Sequence, residues 1–296
     1  MPHAEALAHL QAGRPQAAAA LLSSVVNRTP TDAGAWFLLG ACRHALNSLP
    51  AAAEAFSRSL LLNPGNAEAH FAHVTVLRAL GRKHAALAAG RKAVDQFPSD
   101  ARAIYAMALC LEDLGHIDEA LAHYDTALSV DPASEDALHN RGLLLLRLDR
   151  VEEAEVNQRQ YVSLRPHAAR AHSVHADALL SLGRFEDALR ALDEVERLSP
   201  ADISARVRRG VALAALRRFA DARRVLADAR AANPGAVAAY LGRVSHRPDP
   251  EAMLCPENIF LWHAWRRIGQ CDWSGWDECV KEMARIASAP EVELEP

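Results

Sequence analysis

Proline recurs at Pro30, Pro64, Pro98, Pro132, Pro166, Pro200 and Pro234, with a gap of 34 residues each time. Alanine keeps the same period at Ala18, Ala52, Ala86, Ala120, Ala154, Ala188 and Ala222, and leucine at Leu46, Leu80, Leu114, Leu148, Leu182 and Leu216. Three residue types in one period mean that one structural unit is repeated. Proline donates no backbone hydrogen bond and disfavours helix in the residue before it, so each proline marks the boundary between one unit and the next. Small residues recur at Ala6, Gly40, Ala108, Gly142, Ala176 and Gly210, with Val74 the exception in size. Small side chains let facing helices approach closely. Gly13, Gly81, Gly115 and Gly183 fall where a turn would join two helices of a unit, and glycine there accepts positive φ.

Half of the residues are hydrophobic and only 5% aromatic, so alanine and leucine supply most of the apolar surface. That composition favours helices. The predicted fold is all-α, with seven helix-pair units over residues 1–236. One unit cannot bury its own apolar face, so neighbours must stack. Beyond residue 236 the register fades. A degenerate repeat and capping helices are expected over 237–290, followed by an acidic tail at 291–296.

The formal net charge of −4 is too small to point to nucleic acid or an anionic membrane. No stretch approaches the ~18 apolar residues of a membrane span, and Met1–Leu10 lacks the pattern of a signal peptide. The expectation is a soluble, cytoplasmic protein with no membrane partner. Five cysteines without CxxC spacing argue against a disulfide framework. Cys42 and Cys110 lie 68 residues apart, at one repeat position, and read as buried small residues. His70 with His73, and His172 with His175, have i, i+3 spacing but occupy repeat positions, so structural histidines are expected rather than metal ligands. Cys255, His263, Cys271 and Cys279 match no zinc-module spacing. No metal and no cofactor are expected.

Residues 33–66 read Trp36, Leu39, Gly40, Ala52, Phe56 and Pro64. This resembles the tetratricopeptide repeat pattern W-x2-L-G…A-x3-F…P, and residues 101–134 follow it with Ala120, Tyr124, Ala127 and Pro132. The resemblance covers about residues 3–236 and implies a right-handed superhelical solenoid whose first helices line a concave groove. Near the C-terminus, Cys271-Asp272-Trp273 and Trp276-Asp277-Glu278 resemble the junction between repeats and catalytic region in the O-linked N-acetylglucosamine transferase (SPINDLY-like) family. That family is a sugar-nucleotide-dependent glycosyltransferase. Only residues 290–296 follow the last expected helix, which leaves no room for its catalytic lobes. No catalytic residue is carried over, and this chain is expected not to be an enzyme. Cys271, Asp272, Trp273 and Trp276 either pack a cap or dock a separate domain.

In the family's groove the facing row would be Phe37, Phe71, Tyr105, His139, Ser173 and Val207. Four rings in a row could stack along an extended partner segment, or could simply fill space between repeats. Of the positions that carry an asparagine ladder in the family, only Asn140 has the residue. Phe37 and Ala41 do not supply the lysine and asparagine of a carboxylate clamp. The unit 203–236 holds eight arginines against Asp221 and Asp228, whereas 101–134 holds six carboxylates against Arg102. Arg206, Arg208 and Arg209 could therefore receive an acidic partner, or form local ion pairs on a solvated face. Three functions follow in order of preference. The first is a protein–protein interaction scaffold binding an extended segment. The second is the substrate-recognition arm of a glycosyltransferase whose catalytic domain is separate. The third, weakest, is nucleic-acid binding through the arginine-rich unit.

Overall fold

The computed structural model describes residues 2–235 and Val237. Among the described residues the chain is entirely α-helical, with fourteen helices arranged as seven antiparallel pairs: α1 (Pro2–Gln11) with α2 (Pro15–Arg28), α3 (Ala33–Ala45) with α4 (Leu49–Leu62), α5 (Ala67–Ala79) with α6 (Lys83–Gln96), α7 (Ala101–Leu114) with α8 (Ile117–Val130), α9 (Glu135–Arg147) with α10 (Val151–Leu164), α11 (Ala169–Ser181) with α12 (Phe185–Leu198), and α13 (Ile203–Ala215) with α14 (Phe219–Ala232). Two compact units divide them, residues 1–138 and 139–296. The expected cap over 237–290 and the tail at 291–296 lie outside the described residues, apart from Val237.

The periodic prolines Pro30 through Pro200 sit in the turns between pairs. One device recurs at these turns, and a second joins it at four of them. At the C-cap, the backbone N–H of Thr29, Asn63, Phe97, Asp131, Arg165 or Ser199 bonds the carbonyl four residues back. At the next helix start, Asp32, Asn66 and Asp202 accept from Ala35, Ala69 and Ala205, and Asp100 accepts from Arg102. These side chains satisfy backbone donors that the first helical turn leaves open.

Within each pair the connection turns through one left-handed residue. Gly13, Gly81, Gly115 and Gly183 have φ of +68 to +81°, and Asn47, Asp149 and Arg217 take the same register position at +56 to +62°. Asparagine and aspartate tolerate this conformation; arginine does so at a steric cost.

The alanine register is the interior. Ala18, Ala52, Ala86, Ala120, Ala154, Ala188 and Ala222 are all fully buried. The small register lies across from a large residue sixteen positions on. Gly40 sits under the Phe56 ring and Gly210 under Leu226, each so close that a Cβ would come within 2.7 Å of the side chain opposite. The third repeat inverts the pattern: Val74 stands at the small position and Gly90 at the large one. In the first unit Phe56, Val74, Val76 and Leu77 form a core with Cys110. In the second unit Leu179, Leu192 and Val195 form one cluster, and Val207, Leu213 and Leu226 another.

Candidate functional site

The ring row is built into the repeats. In the first unit, Phe37 and Phe71 are half-buried and lie against the core that contains Phe56. The Phe37 ring is 5.9 Å from that of Phe56, and the Tyr105 ring is 6.0 Å from that of Tyr124. Tyr105 is buried. In the second unit the His139 ring meets Tyr161 edge-on at 6.5 Å, and Asn140 is half-buried. Phe37, Tyr105 and His139 therefore each pack on the second helix of their own repeat, which leaves little ring face for a stacked ligand. Phe71 differs, because the position that would carry its ring partner is Gly90.

The three arginines of the seventh repeat make local contacts, the second of the alternatives set out for them. Arg208, with 13% of its side chain exposed, grips Asp177 of α11 bidentately at 2.6 and 3.0 Å and donates to the Ser173 hydroxyl at 3.0 Å. Arg209 pairs with Asp193 and reaches Glu196 at 3.4 Å. Arg206 donates to the Pro200 carbonyl at 2.7 Å. The last contact is itself periodic. Trp36 donates to the Pro30 carbonyl at 2.9 Å, His70 meets the Pro64 carbonyl at 3.0 Å, and His172 meets that of Pro166 at 2.9 Å. A carbonyl only accepts, so Nε2 of both histidines carries the proton. His70 and His172 thus pin the inter-repeat turns.

A cavity of about 670 Å³ opens between α4 and α6. Both helices pack on α5, which forms the floor. Leu60 and Leu61 come from α4, His73 and Leu77 from α5, and Ala85, Ala88, Ala89 and Lys92 from α6. The wall that α6 contributes is built from small side chains, alanine at 85, 88 and 89. Leu61 is 73% exposed, the most exposed large hydrophobic among the described residues. Lys92 lines the same groove, with Asp95 close to one turn further along α6. His73 is held below the ordinary imidazole value, first by burial and then by His70 and Lys92. Sequence reading overlooked this groove. The alanines at 85, 88 and 89, grouped along α6, were the available signal.

A polar core in the fifth repeat was also overlooked. Glu155, Asn157 and Gln158 of α10 are buried, and Gln158 replaces the aromatic or leucine found at that register in most other repeats. Arg159 holds the Glu155 carboxylate at 2.5 and 2.7 Å, Arg184 reaches it at 3.3 Å, and His175 lies 3.6 Å away. Desolvation pushes this carboxyl up, but Arg159 and His175 together outweigh it and keep the group below its usual range.

Among the described residues no group of three or more His, Cys, Asp and Glu could hold a metal ion. Cys42 and Cys110 are buried thiols, and burial pushes Cys110 up to about 12. Cys271, Asp272, Trp273 and Trp276 lie outside the described residues. No helix among the described residues is long and apolar enough to cross a membrane.

Family models described as tetratricopeptide repeat match residues 3–67, 157–203 and 173–237, and 135–167; one described as TPR repeat matches 111–149. A model described as anaphase-promoting complex, cyclosome, subunit 3 matches 47–127. No curated protein matches the chain by sequence. Among solved structures, a thermophilic TPR protein of Thermus thermophilus is 26% identical, covering 60% of this chain and 97% of that one, with a TM-score of 0.50. YrrB, described as a TPR protein with an unusual peptide-binding site, is 23% identical over 62% of this chain and 94% of that one, with a TM-score of 0.52. PilW, a type IV pilus biogenesis factor, is 18% identical over 68% of this chain and 93% of that one, with a TM-score of 0.61. The glycosyltransferase side of the resemblance rests on the motif at 271–278 alone and gains no support from these matches. Their repeat fold is typically a non-catalytic scaffold. The register, the helix pairs and the matches agree: the chain is a tetratricopeptide repeat protein.

Proposed function

We propose that the chain is a non-catalytic scaffold that binds a segment of a partner protein, and that the groove between α4 and α6 holds that segment. The observation that carries this reading is the apolar cavity of about 670 Å³ with Leu61 73% exposed at its wall. Concave, mostly apolar surfaces with a few polar groups are where ligands bind, and a large exposed apolar side chain on such a wall marks a contact surface. The ring row Phe37, Phe71 and Tyr105 supports the repeats from within, and the arginines of the seventh repeat are engaged with Asp177, Asp193 and the Pro200 carbonyl.

The test is affinity capture with the full chain, with Leu61→Glu, and with a Phe37→Leu, Phe71→Leu double variant. Loss of a defined partner with Leu61→Glu and its retention with the phenylalanine variant is the expected pattern. Retention by Leu61→Glu and loss with the phenylalanine variant would move the site to the ring row.

A further inference from the structure

We infer that the α4–α6 groove takes an amphipathic helix that carries Asp or Glu beside its apolar stripe; this rests on the groove being the partner-binding site proposed above.

Shape comes first. The walls α4 and α6 are each 14 residues long, about 21 Å at a helical rise of ~1.5 Å per residue. Both lie on α5, so the depression between them runs along a helix axis. A third helix laid in that depression meets two walls and a floor, whereas an extended strand would find no sheet edge to pair with. Ala85, Ala88 and Ala89 let its backbone come close, while Leu61 and Leu77 supply larger apolar surface. Apolar residues spaced i, i+3, i+4 and i+7 on the incoming helix would meet them.

Charge decides the class. The stretch 49–96 carries six basic and three acidic side chains, whereas the rest of the chain carries 27 basic and 34 acidic. The groove region is thus net basic (+3) on a chain of net charge −4, with Arg78 and Lys83 engaged by Asp113 of α7 and the other four bases on or beside α4 and α6. Lys92 lines the groove outside any ion pair, and Arg58 and Arg91 on the two walls are exposed and likewise unpaired among the described residues. A basic helix would bring like charges onto Lys92, with Arg58 and Arg91 nearby on the same two helices. An acidic one supplies the missing partners, which sets both specificity and association rate. Asp95, at the C-terminal end of α6, is the one carboxylate lining the groove.

The experiment is selection of displayed 14-residue random peptides on the full chain, followed by fluorescence anisotropy with the selected peptides against wild type, Leu61→Glu, Lys92→Glu and Lys92→Met. Leu61 and Lys92 are exposed, so these variants keep the fold, which circular dichroism checks. The expected result is Leu-rich helical peptides with a net negative charge, whose affinity drops about tenfold or more with Lys92→Glu, less with Lys92→Met, and weakens as salt is raised. Selected peptides that depend on Leu61 but are basic or neutral would overturn the acidic class and leave the groove standing. Peptides indifferent to Leu61→Glu would overturn the groove itself. Two further outcomes would also refute the acidic helix. One is self-association of the chain abolished by Leu61→Glu, which would make a second copy the occupant. The other is tight, Lys92-dependent binding of a single-stranded DNA oligonucleotide in the absence of any selected peptide.

Discussion

Replacing Gly40 by alanine tests the rule that small residues in the first helix seat large ones in the second. A Cβ at position 40 would lie 2.7 Å from Cδ1 and Cε1 of Phe56 and 3.1 Å from Cγ. Carbon contacts are optimal near ~3.5–4.0 Å, so the ring must retreat by about 1 Å. The ring is 1% exposed and bounded by Ala52, Ala53 and Val74, so it has nowhere to go. Overfilling of this kind costs ~1–3 kcal/mol, while alanine gains ~0.8–1.0 kcal/mol over glycine inside a helix. Gly90→Ala provides the control. Its Cβ would meet Met107 Sδ at 3.4 Å and Cys110 Sγ at 3.6 Å, ordinary contact distances. That substitution should stabilise by up to ~1 kcal/mol. Helix propensity cancels between the two, so Gly40→Ala should be less stable than Gly90→Ala by about 1–3 kcal/mol, seen as a lower urea midpoint at similar slopes. Phe56→Ala alone should cost ~3–5 kcal/mol, and in that background Gly40→Ala should turn stabilising. A Gly40→Ala chain that is more stable than wild type, or whose cost is unchanged by Phe56→Ala, would refute the seating rule.

Glu155→Leu restores the apolar register of the fifth repeat and should be neutral or stabilising, because Arg159 and Arg184 are largely exposed and return to water; Glu155→Ala should lose ~1–3 kcal/mol through the cavity it leaves, and denaturant midpoints separate the two. Arg208→Ala should cost ~1–3 kcal/mol, since it strips a charge-assisted bidentate partner from Asp177, and Asp177→Asn should remove most of that cost when the two are combined. Acid should weaken the fold in two stages. His73 and His175 are depressed in the folded chain, so their contribution is complete above the ordinary imidazole value of 6.5 and is lost as pH falls below it. Glu155 is also depressed, so its contribution persists above 4.5 and is lost as pH falls further. Melting temperatures across this range would follow both stages, and a His73→Leu, His175→Leu chain should lack the first; a melting temperature that rises between pH 7 and pH 5.5 would contradict the sign.

The repeat was legible because proline, alanine and glycine each do one thing at one position. The buried alanine register and the proline turns can be read directly from residue type. Less was visible where different residues do the same job. Asn47, Asp149 and Arg217 adopt the left-handed turn of Gly13 and Gly81, although an arginine side chain has nothing in common with glycine that would mark the position. Trp36, His70, His172 and Arg206 pin the equivalent proline carbonyl with three different chemistries, so residue type at this position carries no common mark of the shared contact. Charge counting over 203–236 could not show that Arg208 is answered from α11, because Asp177 lies 31 residues away in the preceding repeat.

In a repeat array, a position gains meaning from its departure from the register, and two repeats here depart in opposite ways. The third moves volume from α6 to α5, with Gly90 buried against Met107 and Cys110 of α7 and Val74 at the small position, and its exposed α6 face carries the small alanines 85, 88 and 89 that line a groove. The fifth keeps its volume but exchanges chemistry, Gln158 for an aromatic and Glu155 for a leucine or alanine, and its interior becomes ionic. Removing volume creates a place for a partner's apolar side chains. Replacing apolar atoms with a fully answered carboxylate creates none, because Arg159 and Arg184 already occupy its lone pairs. The distinction supports placing the proposed recognition site in the third repeat and the carboxylate stage of acid sensitivity in the fifth. It can be checked without knowing the partner. Ala85→Leu with Ala88→Leu, both on the groove wall, should fill the α4–α6 groove and abolish peptide capture. Gln158→Leu with Glu155→Leu should flatten the loss of stability below pH 4.5 and leave capture intact.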